Sequence, residues 1–165
     1  MSKPERKPSK AQLARHAARE LAVQGLYQWH LNAKPISTIE VEFRAQVADE
    51  DMPDHENWVK VMDMADLALF HTLLHGVAQN VSDLDSIFGA LLDRDIDALD
   101  AIELSVLRLG TYELKYRPEV PYRAVINEAV ELAKVFGASD GHKYVNSVLD
   151  KLAGQLRAVE VGQRR

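Results

Sequence analysis

AIELSVLRLGTYELKY, residues Ala101–Tyr116, is the run that decides the fold. Ile102, Val106, Leu109 and Leu114 recur at helical spacing, and Leu104 and Leu107 add apolar positions on other faces. A helix apolar on most of its sides belongs at the centre of a bundle. The segment predicts an all-α protein built around it.

Working outward, every neighbouring segment also reads as helix. Upstream, DLDSIFGALL predicts a short helix that Ser82 can cap, and a long helix runs from Trp58 to about Asn80. ADEDMPDHEN, with Pro53, predicts an exposed acidic connection. A helix with Ile39, Phe43 and Val47 on one face precedes it. Before that, QLARHAARELAVQGLYQWHLN places Leu13, Ala17, Leu21 and Leu26 at helical spacing. Its small residues Ala14, Ala18, Ala22 and Gly25 let another helix approach closely.

Downstream, Pro118 and Pro121 end one helix and start the next. Ile126, Ala129, Val130, Ala133 and Phe136 face inward, and Gly137 predicts a left-handed stop. Val145, Val148, Leu149, Leu152 and Leu156 mark the last helix. The expected architecture is about seven helices in two small three-helix-type bundles joined near residues 80–97. Its parts are a flexible basic arm (1–12), an N-terminal helical subdomain (13–80) with an acidic loop near 49–57, a C-terminal helical subdomain (81–157) and a frayed tail (158–165).

Composition narrows the function. The 165 residues contain no cysteine, which excludes disulfides, thiolate zinc sites and cysteine nucleophiles and makes the cytoplasm the expected compartment. No apolar run is long enough to span a bilayer, and MSKPERKPSK lacks the apolar core of a secretory signal. The net charge is −5, but Lys3, Arg6, Lys7, Lys10, Arg15 and Arg19 oppose one acid, Glu5, over the first nineteen residues. A local basic patch sets the local field whatever the mean charge.

Catalytic signatures fail. In SDGHKYVNSVLDKL, Ser139–Leu152, Gly141 follows Gly137 with the wrong spacing for a phosphate loop, and a helix rather than a strand precedes it. No Gly-x-Ser-x-Gly elbow occurs, and no spacing pairs carboxylates in an apolar pocket. His71 and His75 alone among six histidines have the i, i+4 spacing of metal ligands, but Thr72 stands where HExxH needs glutamate. The pair reads as two surface histidines; no metal, cofactor or catalytic residue is expected.

Two places suit nucleic acid. Arg15 and Arg19 are a helical turn apart, with His16 beside them and Lys7 and Lys10 extending the charge. Ser139 or Asp140 can cap a helix start that carries Lys143 and Tyr144, a cation and an aromatic ring suited to phosphate and a stacked base.

ARHAARELAVQGLYQWHL, AIELSVLRLGTYEL and VPYRAVINEAVELAKVFGASDGHKYVNSVLDKL together resemble the NusB family of bacterial transcription antitermination factors. The resemblance runs from about residue 12 to 157. It implies two three-helix bundles and a non-enzymatic adaptor. That adaptor binds the boxA sequence of nascent RNA as a heterodimer with the ribosomal protein NusE, and so links to RNA polymerase and other Nus factors in ribosomal RNA operons. The family's RNA surface falls on the basic N-terminus, Arg15, His16 and Arg19, and on Asp140, Lys143, Tyr144 and Asn146. Its NusE surface falls on Tyr27, Asp97 and Glu103; without partners, a homodimer is the alternative state. The same helical domain also resembles the N-terminal module of ribosomal RNA cytosine methyltransferases, but no Gly-rich cofactor loop occurs here.

Overall fold

The computed structural model describes residues 6–164, and side chains to Gln163. Lys3 and Glu5 therefore lie outside the described residues. The chain folds into α1 (Lys10–Asn32), α2 (Ile36–Ala45), α3 (His55–Met64), α4 (Leu67–Gln79), α5 (Val81–Gly89), α6 (Ala101–Tyr116), α7 (Tyr122–Phe136), α8 (Gly141–Leu156) and α9 (Ala158–Arg164). Short 3₁₀ turns lie at Gln46–Ala48 and Ile96–Ala98, and no strand occurs among the described residues.

The central run behaves as its pattern dictates. Of the sixteen residues of α6, ten are buried, so the helix is enclosed rather than one-sided. It packs against α1, α4, α5, α7 and α8. Buried side chains from Ala18 to Val161 form one apolar cluster through these helices. The small residues of α1 serve the approach of α4: a Cβ at Gly25 would lie 2.8 Å from Leu74 Cδ1.

Nine α-helices among the described residues, against about seven expected, follow from two local causes. The expected long helix is broken at Ala65, whose ψ of 146° is extended. Asp66 stops it. Its N–H donates to Ala14 O at 3.0 Å, and its carboxylate accepts from Leu69 N–H at 3.0 Å, so it caps a new helix. The expected frayed tail is α9, held by Arg157 and Glu160. Buried Arg157 donates to the carbonyls of Leu114, Val120, Glu113 and Arg117 at 2.7–3.2 Å, satisfying the end of α6 and the turn beyond it. Glu160 accepts from Tyr122 N–H at 2.9 Å at the start of α7, and Val161 is buried beside them.

Other helix ends also depart from expectation. Ser9 caps α1 in a reciprocal box with Gln12, so Lys10 is the first helical residue and not part of an arm. Ser82 lies inside α5, whose N-cap is Asn80. Gly137 ends α7 with extended φ −101° and ψ −176°, not left-handed. Asp140 is the N-cap of α8, but neither it nor Ser139 makes a side-chain cap bond.

Candidate nucleic-acid interface

The start of α1, the turn at 117–121 and the first half of α7 enclose a groove of about 910 Å³. Arg6, Arg15, His16, Arg19 and Arg117 line it together with Glu119 and Glu128. Five cationic side chains, four of them from the basic N-terminal run and α1, thus meet in one place. Arg6 and Arg15 are exposed and have no salt bridge among the described residues. Lys7 and Lys10 are exposed beside them without lining the groove.

Arg19 requires a correction. It was expected as a surface cation, but its side chain is only 8% exposed and its guanidinium forks onto Glu113, Nε to Oε1 at 2.8 Å and Nη2 to Oε2 at 3.2 Å. Helical spacing placed Arg15 and Arg19 on one side of α1. Depth then separates them, because α6 and α7 cover the turn that carries Arg19 and leave Arg15 exposed.

His16 is bracketed rather than free. Its Nδ1 meets Glu128 Oε2 at 2.8 Å and its Nε2 meets Glu20 Oε1 at 2.7 Å. Hydrogen bonds to Glu128 and then Glu20 raise its pKa to about 10 against the opposing effect of burial, so the ring carries a proton at neutral pH. Burial pushes the Glu128 carboxyl up, but the bond and charge from His16, with Arg19 and Arg15 nearby, hold it below the usual range. His16, Arg19 and Glu128 therefore line the groove as part of a paired network that continues to Glu20 and Glu113, and the exposed Arg6 and Arg15 stand at its rim.

The start of α8 has a different construction. Lys143 and Asp140 are exposed and pair only loosely at 3.5 Å, and Asn146 is exposed one turn on. Tyr144, expected as an exposed ring, is half-buried. Its hydroxyl donates to Asp93 Oδ1 at 2.9 Å, and the Arg94 guanidinium lies 4.4 Å over one ring face. The ring also packs against the apolar core. Gly141 is explained by Glu103: a Cβ there would strike the Glu103 carboxylate. Burial and then the neighbouring Asp100 charge raise the Glu103 pKa against Arg94.

Of the partner-facing candidates, Tyr27 is half-buried and lines a hollow with Gln24, Gln28, Ile102 and Phe136. Glu103 follows Ile102 in α6, and Asp97 is exposed in the preceding 3₁₀ turn. Glu103 therefore touches the start of α8, so the two expected surfaces adjoin there. Sequence reasoning missed Arg117 and Glu128 in the groove and Asp93 and Arg94 beside Tyr144; Arg6 was read only as part of the basic terminus, and Glu128 only as part of NEAVELAK.

Among the described residues, an all-helical fold with a cation-rimmed groove is the arrangement of a binding protein. The NusB family model matches residues 16–154, and the chain belongs to the NusB family. It is 64% identical to transcription antitermination protein NusB of Chromohalobacter salexigens, across 100% of this chain and 99% of that protein. It is 51% identical to the protein of the same description from Hahella chejuensis, across 93% of this chain and 94% of that one. The fold matches T. maritima NusB with a TM-score of 0.66 at 22% identity, covering 90% of this chain and 92% of that one. It also matches a chain of the crystal structure of antitermination factors NusB and NusE in complex with dsRNA, with a TM-score of 0.62 at 24% identity, covering 83% of this chain and 93% of that one. The chain is thus a transcription antitermination factor and not an enzyme. No helix among the described residues is long and apolar enough to cross a membrane.

Proposed function

We propose that this chain, in the cytoplasm, binds boxA-type single-stranded RNA jointly with ribosomal protein NusE and supports processive antitermination in ribosomal RNA operons. RNA polymerase and other Nus factors join that complex through it, and a homodimer forms in the partners' absence. The observation that carries this reading is the groove at the start of α1, where exposed Arg6 and Arg15 rim a floor whose own charges are already paired. Phosphates meet the rim, with Lys7 and Lys10 continuing it. His16 and Arg19 act from below by fixing the helix that presents them. Asp140, Lys143, Tyr144 and Asn146 supply the second contact. The solved NusB–NusE–RNA complex of the same fold supports the pairing of RNA with NusE.

Tyr27, Asp97 and Glu103 form the NusE side, an acidic and aromatic surface suited to a basic ribosomal protein. The test is a titration of boxA RNA, a scrambled strand and a duplex of the same sequence, each with and without NusE, over a salt series. Preference for single-stranded boxA, strengthened by NusE, is expected. Equal binding of the scrambled strand in the presence of NusE overturns the proposal.

A further inference from the structure

The histidine pair set aside on its sequence is not a pair of free surface groups. His71 and His75 lie a turn apart on α4, and both reach one oxygen of Glu40, on α2. His71 Nδ1 is 2.8 Å and His75 Nε2 is 2.7 Å from Glu40 Oε1. The Glu40 side chain is 11% exposed, and Arg44 holds its other oxygen, with Nη2 at 2.8 Å and Nε at 3.1 Å. The imidazole centroids are 4.2 Å apart, and one donor atom from each of the three residues falls within a 4.8 Å group.

Two imidazoles and one carboxylate from packed neighbouring helices make a ligand set for Zn²⁺, which binds nitrogen and oxygen donors at about 2.0–2.2 Å in a tetrahedron. We propose that Glu40, His71 and His75 bind a zinc ion that clips α2 to α4, with water as the fourth ligand. Such a tetrahedron spaces its donor atoms about 3.3 Å apart. The cluster therefore has to open by roughly half an ångström from its hydrogen-bonded spacing. His71, 56% exposed, has room to do so and leaves a path for the ion. Zinc replaces the two contacts that the imidazoles now make to Oε1, each ring ligating as a neutral imidazole protonated on its other nitrogen. Arg44 anchors Oε2 and leaves Oε1 for the metal, as an outer-shell partner does. Its own charge opposes the cation, but Arg44 is 42% exposed and water screens that repulsion.

The test uses the full chain without a histidine tag. Calorimetric titration with ZnCl₂ is expected to give one bound equivalent, and saturating zinc to raise the thermal midpoint, because the site exists only in the folded state. Cobalt(II) in its place should show the intense visible absorption of a four-coordinate ion. His71→Ala, His75→Ala and Glu40→Gln should each weaken zinc binding at least roughly 100-fold, while His30→Ala changes nothing. Exposed His71 keeps the test valid if Glu40→Gln unfolds, as helical circular dichroism would reveal. No saturable uptake, uptake that survives both histidine variants, or a six-coordinate cobalt spectrum overturns the proposal.

Discussion

The first turns of α1 and the first turn of α8 were both legible as basic helix starts, yet they are built in opposite ways. On α1 the charges nearest the core are locked into pairs from α6 and α7, and the exposed ones stand at the rim. On α8 the cation is exposed and only loosely paired, and the aromatic ring is the locked member, held by Asp93 and Arg94. Spacing along a helix says which residues share a side; it does not say which of them the rest of the chain covers. Arg15 and Arg19 are the sharpest case, two arginines a turn apart, one exposed and one buried.

Breaking the locked member of α1 should have the largest effect. Arg19→Ala leaves Glu113, 2% exposed, as an uncompensated buried charge, which costs about 3–5 kcal/mol of folding stability. Arg15→Ala should stay within about 0.5 kcal/mol of the wild type. Urea denaturation of both variants measures the contrast. Replacing the pair together, Arg19→Met with Glu113→Leu, should recover most of the loss, because apolar packing substitutes for a buried ion pair. If Arg19→Ala is as stable as Arg15→Ala, the two arginines are equivalent and the distinction between floor and rim fails.

What made the fold readable was the apolar pattern, above all in α6, where no amphipathic alternative existed. Several misreadings of helix ends are local, as at Ser9, Ser82 and Gly137, but the larger ones lie where a group bonds a partner distant in sequence. Asp66 breaks a helix because Ala14 O awaits its N–H, and α9 holds because Arg157 reaches carbonyls about forty residues earlier. Glu113 is 94 residues from Arg19, and Glu128 is 112 from His16. No local window contains such partners. Glu40 escaped for the same reason: HTLLH showed two ligands, and the third sits 31 residues before the first.

The next effect is on pH dependence. The folded pKa of His16 is raised from 6.5 to about 10, so its protonated form is favoured by folding. Its contribution is complete below pH 6.5 and is lost as pH rises toward 10. Stability of the wild type should therefore fall more steeply between pH 7 and pH 10 than that of His16→Gln, which cannot carry the charge. Denaturation midpoints across that range measure the difference, and parallel profiles would mean that Glu20 and Glu128 do not hold the proton there.

Smaller again is the locked ring of α8. Tyr144→Phe keeps the ring under Arg94 and removes only the hydroxyl's bonds to Asp93, donated to Oδ1 and accepted from N–H, so it should cost about 0.5–1.5 kcal/mol. RNA affinity should change less in Tyr144→Phe than in Tyr144→Ala, which also removes the ring. Glu103→Lys is a poor probe of the NusE side alone, because the new side chain would crowd Gly141 and disturb the α8 start.

Lys143 gives the smallest effect on stability and the clearest one on recognition. Its side chain is 73% exposed and its only ion pair among the described residues, with Asp140, spans 3.5 Å, so Lys143→Ala should leave the denaturation midpoint unchanged. If Lys143 neutralises a phosphate, the slope of log affinity against log salt for single-stranded RNA should flatten by about 0.7. Arg15→Ala should flatten it by a similar ~0.7, and the double variant by the sum, because the two sit on separate helices. A double variant no flatter than either single one would show that one RNA strand does not engage both helix starts.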